Sequence, residues 1–226
     1  MAMATFVMAR KNLRTQGGFS LVEMMCVLAV ISIMASVAWP SIVGIIGGDR
    51  LANNAYTLSN VMQQARATAM ARHTYVWVGF NTNPSPDGVP TVTAASICGN
   101  SGVAGDLQSG NYVMSEKPAI LRNVAISAQS NYQTLPGYDA NVTTTDMAAL
   151  SYSFTLSIGG NSNVSFGNVI AFDPNGQANS AQNSTGALQL VQCLGMGLQA
   201  APSSSKLHVA AIQVRGLSGD VTVLRQ

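Results

Sequence analysis

The chain has 226 residues, of which 47% are apolar and 9% are charged, and its formal net charge is +2. This length suits one domain, commonly roughly 100–200 residues, with an additional segment attached to it. The net charge is too small to indicate nucleic acid or another strongly charged partner.

The first eighteen residues form a short basic segment. It carries three basic residues and no acidic one, and it ends in a pair of glycines. The junction between Gly18 and Phe19 is typical of a cleavable site. Glycine has no side chain and a weak helix propensity, so a peptidase can reach an extended backbone there. We predict that residues 1–18 are a leader that is removed.

An uncharged apolar run extends from Met24 to Gly48. At a rise of about 1.5 Å per residue, a helix of this length spans a hydrocarbon core roughly 30 Å thick. A secretory signal peptide would have its cleavage site after the apolar stretch. Here the site precedes the run, so residues 19–48 would remain in the mature protein as an anchor. The basic residues before the run favour a cytoplasmic N-terminus and a domain outside the cytoplasm.

The pattern beyond Arg50 is that of an amphipathic helix. Apolar residues recur at spacings of three and four, and neither glycine nor proline interrupts residues 49–73. We predict one helix over residues 19–73, whose second part docks on the domain that follows. The apolar stripe of this second part consists of Leu51, Ala55, Leu58, Met62, Ala65 and Ala69.

Residues 74–226 change to the two-residue period of β-strands. Clusters of Gly, Pro, Ser and Asn predict a long loop over residues 82–111, and Asn175-Gly176 predicts a turn. We therefore predict an α+β fold, in which the helix packs on a mainly antiparallel β-sheet or a small β-sandwich. The predicted strands are Tyr75–Phe80, Ala119–Ser127, Leu150–Ile158, Val164–Phe172 and Leu188–Leu194, followed by a hairpin of Leu207–Val214 and Val221–Leu224.

Three cysteines are present. Cys26 falls inside the apolar run, whereas Cys98 and Cys193 lie in the β-rich part. In an exported protein, Cys98 and Cys193 could form one disulfide. Two buried free thiols are an equally good interpretation, because pairing depends on geometry that the sequence does not contain.

The segment from Gly18 to Glu23, Gly-Phe-Ser-Leu-Val-Glu, stands directly before the apolar run. It resembles the processing site of type IV prepilins and type II secretion pseudopilins. The resemblance implies cleavage after Gly18 by a prepilin peptidase, N-methylation of the new terminal Phe19, and a role for Glu23 in setting the register of neighbouring subunits. Pro40 matches the proline that such proteins often carry in the membrane helix.

Physical arguments support the roles that the resemblance implies for Glu23 and Pro40. A carboxylate near the bilayer centre costs on the order of 2.5–3.5 kcal/mol, so Glu23 needs a cation, and cleavage would supply the α-amino group of Phe19. The alternative for Glu23 is a side chain that reaches the headgroups without a partner. Pro40 removes a backbone donor and predicts a kink, unless it is one of the tolerated prolines of membrane helices.

The resemblance implies a structural protein of the bacterial inner membrane, with one membrane pass and a periplasmic domain, that assembles into a filament. Its expected partners are other pilins or pseudopilins, the prepilin peptidase that also methylates, and the inner-membrane assembly platform. The resemblance does not separate a type II secretion system from a type IV pilus. No cofactor is expected.

Three stretches are similar to GspH/FimT-like minor pseudopilins: residues 62–69, residues 170–176 and the terminal hairpin. Some FimT-like proteins bind DNA through an arginine-rich segment near the C-terminus. This chain has Arg215 and then Asp220 in that region, so the cations that bind phosphates are too few and DNA uptake is the less favoured alternative.

A membrane-anchored periplasmic enzyme is the main alternative from another class. The two histidines, His73 and His208, belong to no metal-ligand spacing, and the sequence contains no nucleophile elbow, phosphate-binding loop or dinucleotide fingerprint. We therefore predict neither catalytic residues nor a metal site.

Overall fold

The computed structural model describes residues 20–83, 87–158, 162–182, 187–200 and 208–225. Within these ranges, the side chains of residues 37–49, 162, 181–182 and 187 are not described. The predicted leader and the Gly18–Phe19 junction lie outside the described residues. The chain divides into two compact units, Met1–Gly44 and Ile45–Gln226.

One long helix, α1, extends over Leu21–Arg72 and confirms the predicted N-terminal helix. It ends at His73, whose φ of 51° places it in the left-handed region, and the backbone N–H of Thr74 donates to Ala69 O at 3.1 Å. Among the residues that the structure describes, no helix combines the length and apolar character that crossing a membrane requires.

Within the residues that the structure describes, the second unit contains thirteen strands, two short α-helices and one 3-10 turn, Met147–Ala149, besides the C-terminal part of α1. In chain order these are β1 Val76–Asn81, β2 Thr91–Gly99, α2 Asp106–Ser109, β3 Tyr112–Met114, β4 Ala119–Arg122, β5 Val124–Ser127, α3 Gln129–Tyr132, β6 Thr144–Asp146, β7 Phe154–Ile158, β8 Ser162–Phe172, β9 Ala178–Gln182, β10 Ala187–Leu190, β11 Cys193–Ala200, β12 Val209–Arg215 and β13 Val221–Arg225.

The strands form two sheets. The eight-stranded sheet has the order β10-β9-β8-β1-β2-β3, with β4 also beside β2 and β7 also beside β8. The five-stranded sheet has the order β13-β12-β11-β5, with β6 also beside β11. Every pairing is antiparallel except the short parallel contact between β6 and β11. The predicted α+β fold with a mainly antiparallel sheet is therefore confirmed.

The largest core lies where both sheets meet the stripe of α1. All six stripe residues are at most 5% exposed, and they pack with side chains of both sheets, such as Val78 and Ile212. The predicted docking of the second part of the helix is thus confirmed. The stripe residues Ala55, Ala65 and Ala69 are small, which lets the sheets approach the helix closely.

Two smaller cores cover the opposite faces of the sheets. Trp77, which alternates with Val76 and Val78 along β1, is fully buried in the second core together with Phe166. The third core contains Tyr132 and lies on the outer face of the five-stranded sheet. A Cβ atom at Gly197 would lie 2.6 Å from Tyr132 Cδ1, so glycine is what allows this ring to lie against β11.

Three predictions about strands were wrong in detail. The long loop predicted over residues 82–111 contains β2, a nine-residue strand, because its β-branched residues outweigh the glycines and prolines that flank them. The strand predicted over 119–127 is divided at Asn123, whose φ is 59°, and its two parts pair in different sheets. The strand predicted over 188–194 is also two strands, β10 and β11.

Candidate functional site in the N-terminal helix

The start of α1 carries one acidic residue. The backbone N–H of Met24 donates to Ser20 O at 3.1 Å, which closes the first helical turn, and Glu23 lies in that turn. A negative charge is favourable here, because the unpaired N–H groups make the N-terminus of a helix partly positive. The Glu23 side chain is exposed. Phe19, whose amine is its predicted partner, lies outside the described residues.

Apolar side chains cover all sides of the following turns. Ten large apolar residues between positions 21 and 34 have exposed fractions of 48% to 76%. A helix that is apolar all round is stable only in an apolar environment, such as a bilayer or a bundle of other helices. These residues are Leu21, Val22, Met24, Met25, Val27, Leu28, Val30, Ile31, Ile33 and Met34.

The hydroxyl groups within this stretch are satisfied by the helix itself. Ser32 Oγ donates to Leu28 O at 2.7 Å, and Ser36 Oγ donates to Ile33 O at 2.8 Å. In an apolar environment a hydroxyl without a hydrogen bond would be costly, and these two do not need water for theirs. Apart from Glu23, the side chains of residues 21–36 are therefore chemically suited to burial in an apolar environment.

Pro40 lies within the helical range of α1, but its side chain is not described. The predicted kink at this position stays a prediction, as do cleavage after Gly18 and methylation of Phe19.

The two cysteines of the second unit are buried free thiols. Cys98 lies on β2 of the eight-stranded sheet and Cys193 on β11 of the five-stranded sheet. The thiol of Cys98 donates to Gly99 O and that of Cys193 to Leu194 O, each at 3.6 Å. Burial raises the pKa of the Cys193 thiol. The structure thus does not join Cys98 to Cys193.

Arg66 is an anchoring residue that sequence reasoning missed. Its Nε donates to Gly176 O at 3.3 Å, and its Nη1 lies 3.6 Å from Asp220 Oδ1. Asp220 follows the turn between β12 and β13, in the region compared above with a DNA-binding segment. Because these contacts join residues more than a hundred positions apart, the local pattern around Arg66 contained no signal for them.

Across the described ranges, no group of three or more His, Cys, Asp or Glu side chains is arranged to hold a metal ion. A cleft on the outer face of the five-stranded sheet was also missed by sequence reasoning. Its lining includes Arg215, at the end of β12, and Asp139, in the segment between α3 and β6.

These observations define a class: a protein with an acidic first turn and an apolar helix surface, followed by an antiparallel β domain, as expected of a pilin-like subunit. Residues 13–39 match the family model described as the prokaryotic N-terminal methylation motif. The match covers Gly18, Phe19 and Glu23 and ends one residue before Pro40. It supports a relationship to type IV pilins and pseudopilins. No curated protein and no solved structure matches the chain significantly.

Proposed function

We propose that the protein is a structural minor pilin or pseudopilin, cleaved between Gly18 and Phe19, methylated on Phe19 and assembled through its N-terminal helix. The observation that carries the proposal is the helix surface from residue 21 to residue 34, which is apolar on all sides apart from Glu23 and Ser32. The methylation motif at residues 13–39 supports the same conclusion.

The anchor assignment rests on the sequence. The uncharged run from Met24 to Gly48 includes residues 37–48, whose side chains the structure does not describe. Residues 19–48 would cross the inner membrane once, with the basic leader in the cytoplasm and residues 74–226 in the periplasm. The leader would then lie on the cytoplasmic side, where a prepilin peptidase could remove it.

Glu23 would set the register of assembly. Glu23 is four positions after Phe19 in the sequence. In an apolar environment an unpaired carboxylate would be penalised, and one paired with the new amine of Phe19 would be tolerated. In a packed bundle, the Glu23 carboxylate of one subunit can accept a hydrogen bond from the amine of its neighbour. The axial offset that forms this pair would be favoured over offsets that bury either charge alone.

The second part of α1 carries the β-rich domain on the filament. Its stripe is buried by the domain itself and is already used for folding, while the exposed apolar side chains between residues 21 and 34 remain available to other helices. The local similarity to GspH/FimT-like proteins supports a minor subunit of a type II secretion system or type IV pilus. Other pilins, the peptidase and the assembly platform are the proposed partners.

Replacing Glu23 with alanine tests the register role. The E23A protein should be inserted and cleaved normally but should be incorporated into filaments at least about tenfold less, because the charge pair that selects the offset is lost. Mass spectrometry of the membrane fraction measures cleavage, and immunoblotting of sheared filaments measures incorporation. Glu116→Ala, in the second unit, is the control with the same change of charge.

Incorporation of E23A at the level of the E116A control would reject the register role. A separate variant, Gly18→Val, should remain uncleaved because the added side chain obstructs the peptidase, and its mass should include the leader. A G18V protein with the mass of the cleaved form would reject the leader assignment.

A further inference from the structure

A cleft of about 490 Å³ lies on the outer face of the five-stranded sheet. The third core covers one part of this face with Tyr132, and the cleft is the part left open. Three adjacent strands supply its floor: Cys193 of β11 is paired with Arg215 of β12, and Gln213 of β12 with Thr222 of β13. Directly paired residues point to the same face of a sheet, so these four side chains share the floor.

Two loops form the walls. Gly137, Asp139 and Val142 come from the segment between α3 and β6, and Leu217 and Ser218 come from the turn after β12. Backbone hydrogen bonds fix that turn: the N–H of Gly216 donates to Gln192 O at 2.9 Å, and the N–H of Gly219 donates to Arg215 O at 2.7 Å. The turn is therefore held by backbone hydrogen bonds without a ligand, as is usual for sites that bind small molecules.

The cleft contains one positive and one negative side chain that do not pair with each other. Arg215 and Asp139 both line it, yet the described residues include no ion pair within 4.0 Å between them. Asp139 Oδ1 accepts the backbone N–H of Asn141 at 3.0 Å. The second carboxylate oxygen has no hydrogen bond within the described part of the chain, so it can accept one from a ligand.

The rest of the surface is neutral. The side chains of Gln192, Gln213, Ser218 and Thr222 can donate or accept hydrogen bonds, and Val142 and Leu217 offer apolar surface. Gln213 is only 9% exposed, so its amide is partly removed from water. Burial keeps the Cys193 thiol neutral by raising its pKa, and so it adds no third charge.

We propose that this cleft binds a small zwitterion, an amino acid or a short peptide, with its carboxylate on Arg215, its ammonium group on Asp139 and an apolar side chain against Val142 and Leu217. A ligand of this class satisfies both unpaired charges at once. A volume of about 490 Å³ is within the range, roughly 300–1,000 Å³, in which small-molecule sites occur. This binding is independent of filament assembly.

Calorimetric titration of the full chain in detergent micelles tests the proposal. The probes are leucyl-leucine, its C-terminal amide, its N-acetyl derivative and free leucine, each also titrated into empty micelles. Leucyl-leucine should bind, and either modification should weaken binding by on the order of tenfold to a hundredfold, the effect of losing one charge-assisted hydrogen bond. Free leucine binding as tightly as the dipeptide would identify an amino-acid site; binding of the dipeptide alone would identify a peptide site.

Two variants test which charged group of the ligand each side chain binds. Arg215→Gln should bind leucyl-leucine and its amide equally weakly, and Asp139→Asn should no longer distinguish the free amine from the acetylated one. Arg122→Gln and Asp87→Asn, at exposed positions elsewhere, are controls that should bind as the wild type does. Equal affinity of all four probes, or unchanged binding by R215Q and D139N, would overturn the proposal.

Discussion

Asp106 shows how one residue holds a loop together. The residue lies between β2 and β3 and is 2% exposed. The backbone N–H of Ser101 donates to it at 2.8 Å, the Ser101 hydroxyl donates to it as well, and Asn111 Nδ2 donates at 3.2 Å. The hydrogen bond from the Ser101 hydroxyl is the largest of the effects that lower the pKa of Asp106, and burial opposes them.

A pH dependence follows from the direction of that shift. Since the folded pKa is below the unfolded value of about 3.9, the carboxylate stabilises the fold above that pH, and its contribution is lost as the pH falls through the folded pKa. Asp106→Asn should therefore lower the urea midpoint at neutral pH, and the gap to wild type should narrow below about pH 4. Circular dichroism at a series of pH values measures this, with Asp87→Asn as an exposed control. A gap that does not change with pH would contradict the assignment.

At the scale of the element, the stripe of α1 should contribute most of the helix's stabilising contacts with the sheets. Leu58 is fully buried in the large core, whereas Gln64, six positions further along the helix, is exposed. Leu58→Ala should lower the free energy of unfolding by about 2–5 kcal/mol, because it leaves a cavity between the helix and the sheets. Gln64→Ala should change it by less than about 0.5 kcal/mol. Urea unfolding of the purified chain measures both, and equal effects would show that the stripe is not the stabilising face.

Local patterns predicted the helix, its stripe and the terminal hairpin, because neighbours in the sequence determine each of them. The break at Asn123 was not predictable, since its left-handed backbone serves to send β4 and β5 into different sheets. Nor was β11, whose glycines at 195 and 197 weaken the strand signal and make room for the ring of Tyr132. In both cases the deciding partner is distant in the chain.

The processing motif and the cleft also differ in whether neighbours in the sequence or distant residues determine them. The processing motif is contiguous, so Gly18, Phe19 and Glu23 could be proposed from the sequence and were matched by a family model over residues 13–39. The zwitterion cleft is lined by Asp139 and Arg215, which are 76 positions apart. Arg215 ends β12, which pairs with β11, and Asp139 lies in the segment before β6, which also pairs with β11. No spacing rule connects such residues before the sheet is known.

At the scale of the whole molecule, we expect the second compact unit to fold without the first, and the first to be needed for assembly into filaments. The large core includes α1 residues only from Leu51 onward among those the structure describes, and the second unit begins at Ile45. A fragment of residues 45–226 should therefore fold and unfold at nearly the urea midpoint of the full chain. It should stay in the supernatant when membranes are sedimented and be absent from filaments, because the apolar helix surface of residues 21–34 is gone.

Leu58→Ala makes this prediction quantitative. If the stripe acts wholly within the second unit, the substitution should cost the fragment the same free energy as the full chain, to within about 0.5 kcal/mol, since independent sites add. A much larger cost in the fragment would mean that residues 1–44 also stabilise the β domain. Sedimentation of the fragment with membranes would instead place a membrane-binding surface in the second unit. Either of these two results would contradict the prediction that the second unit folds alone and that the first unit mediates assembly.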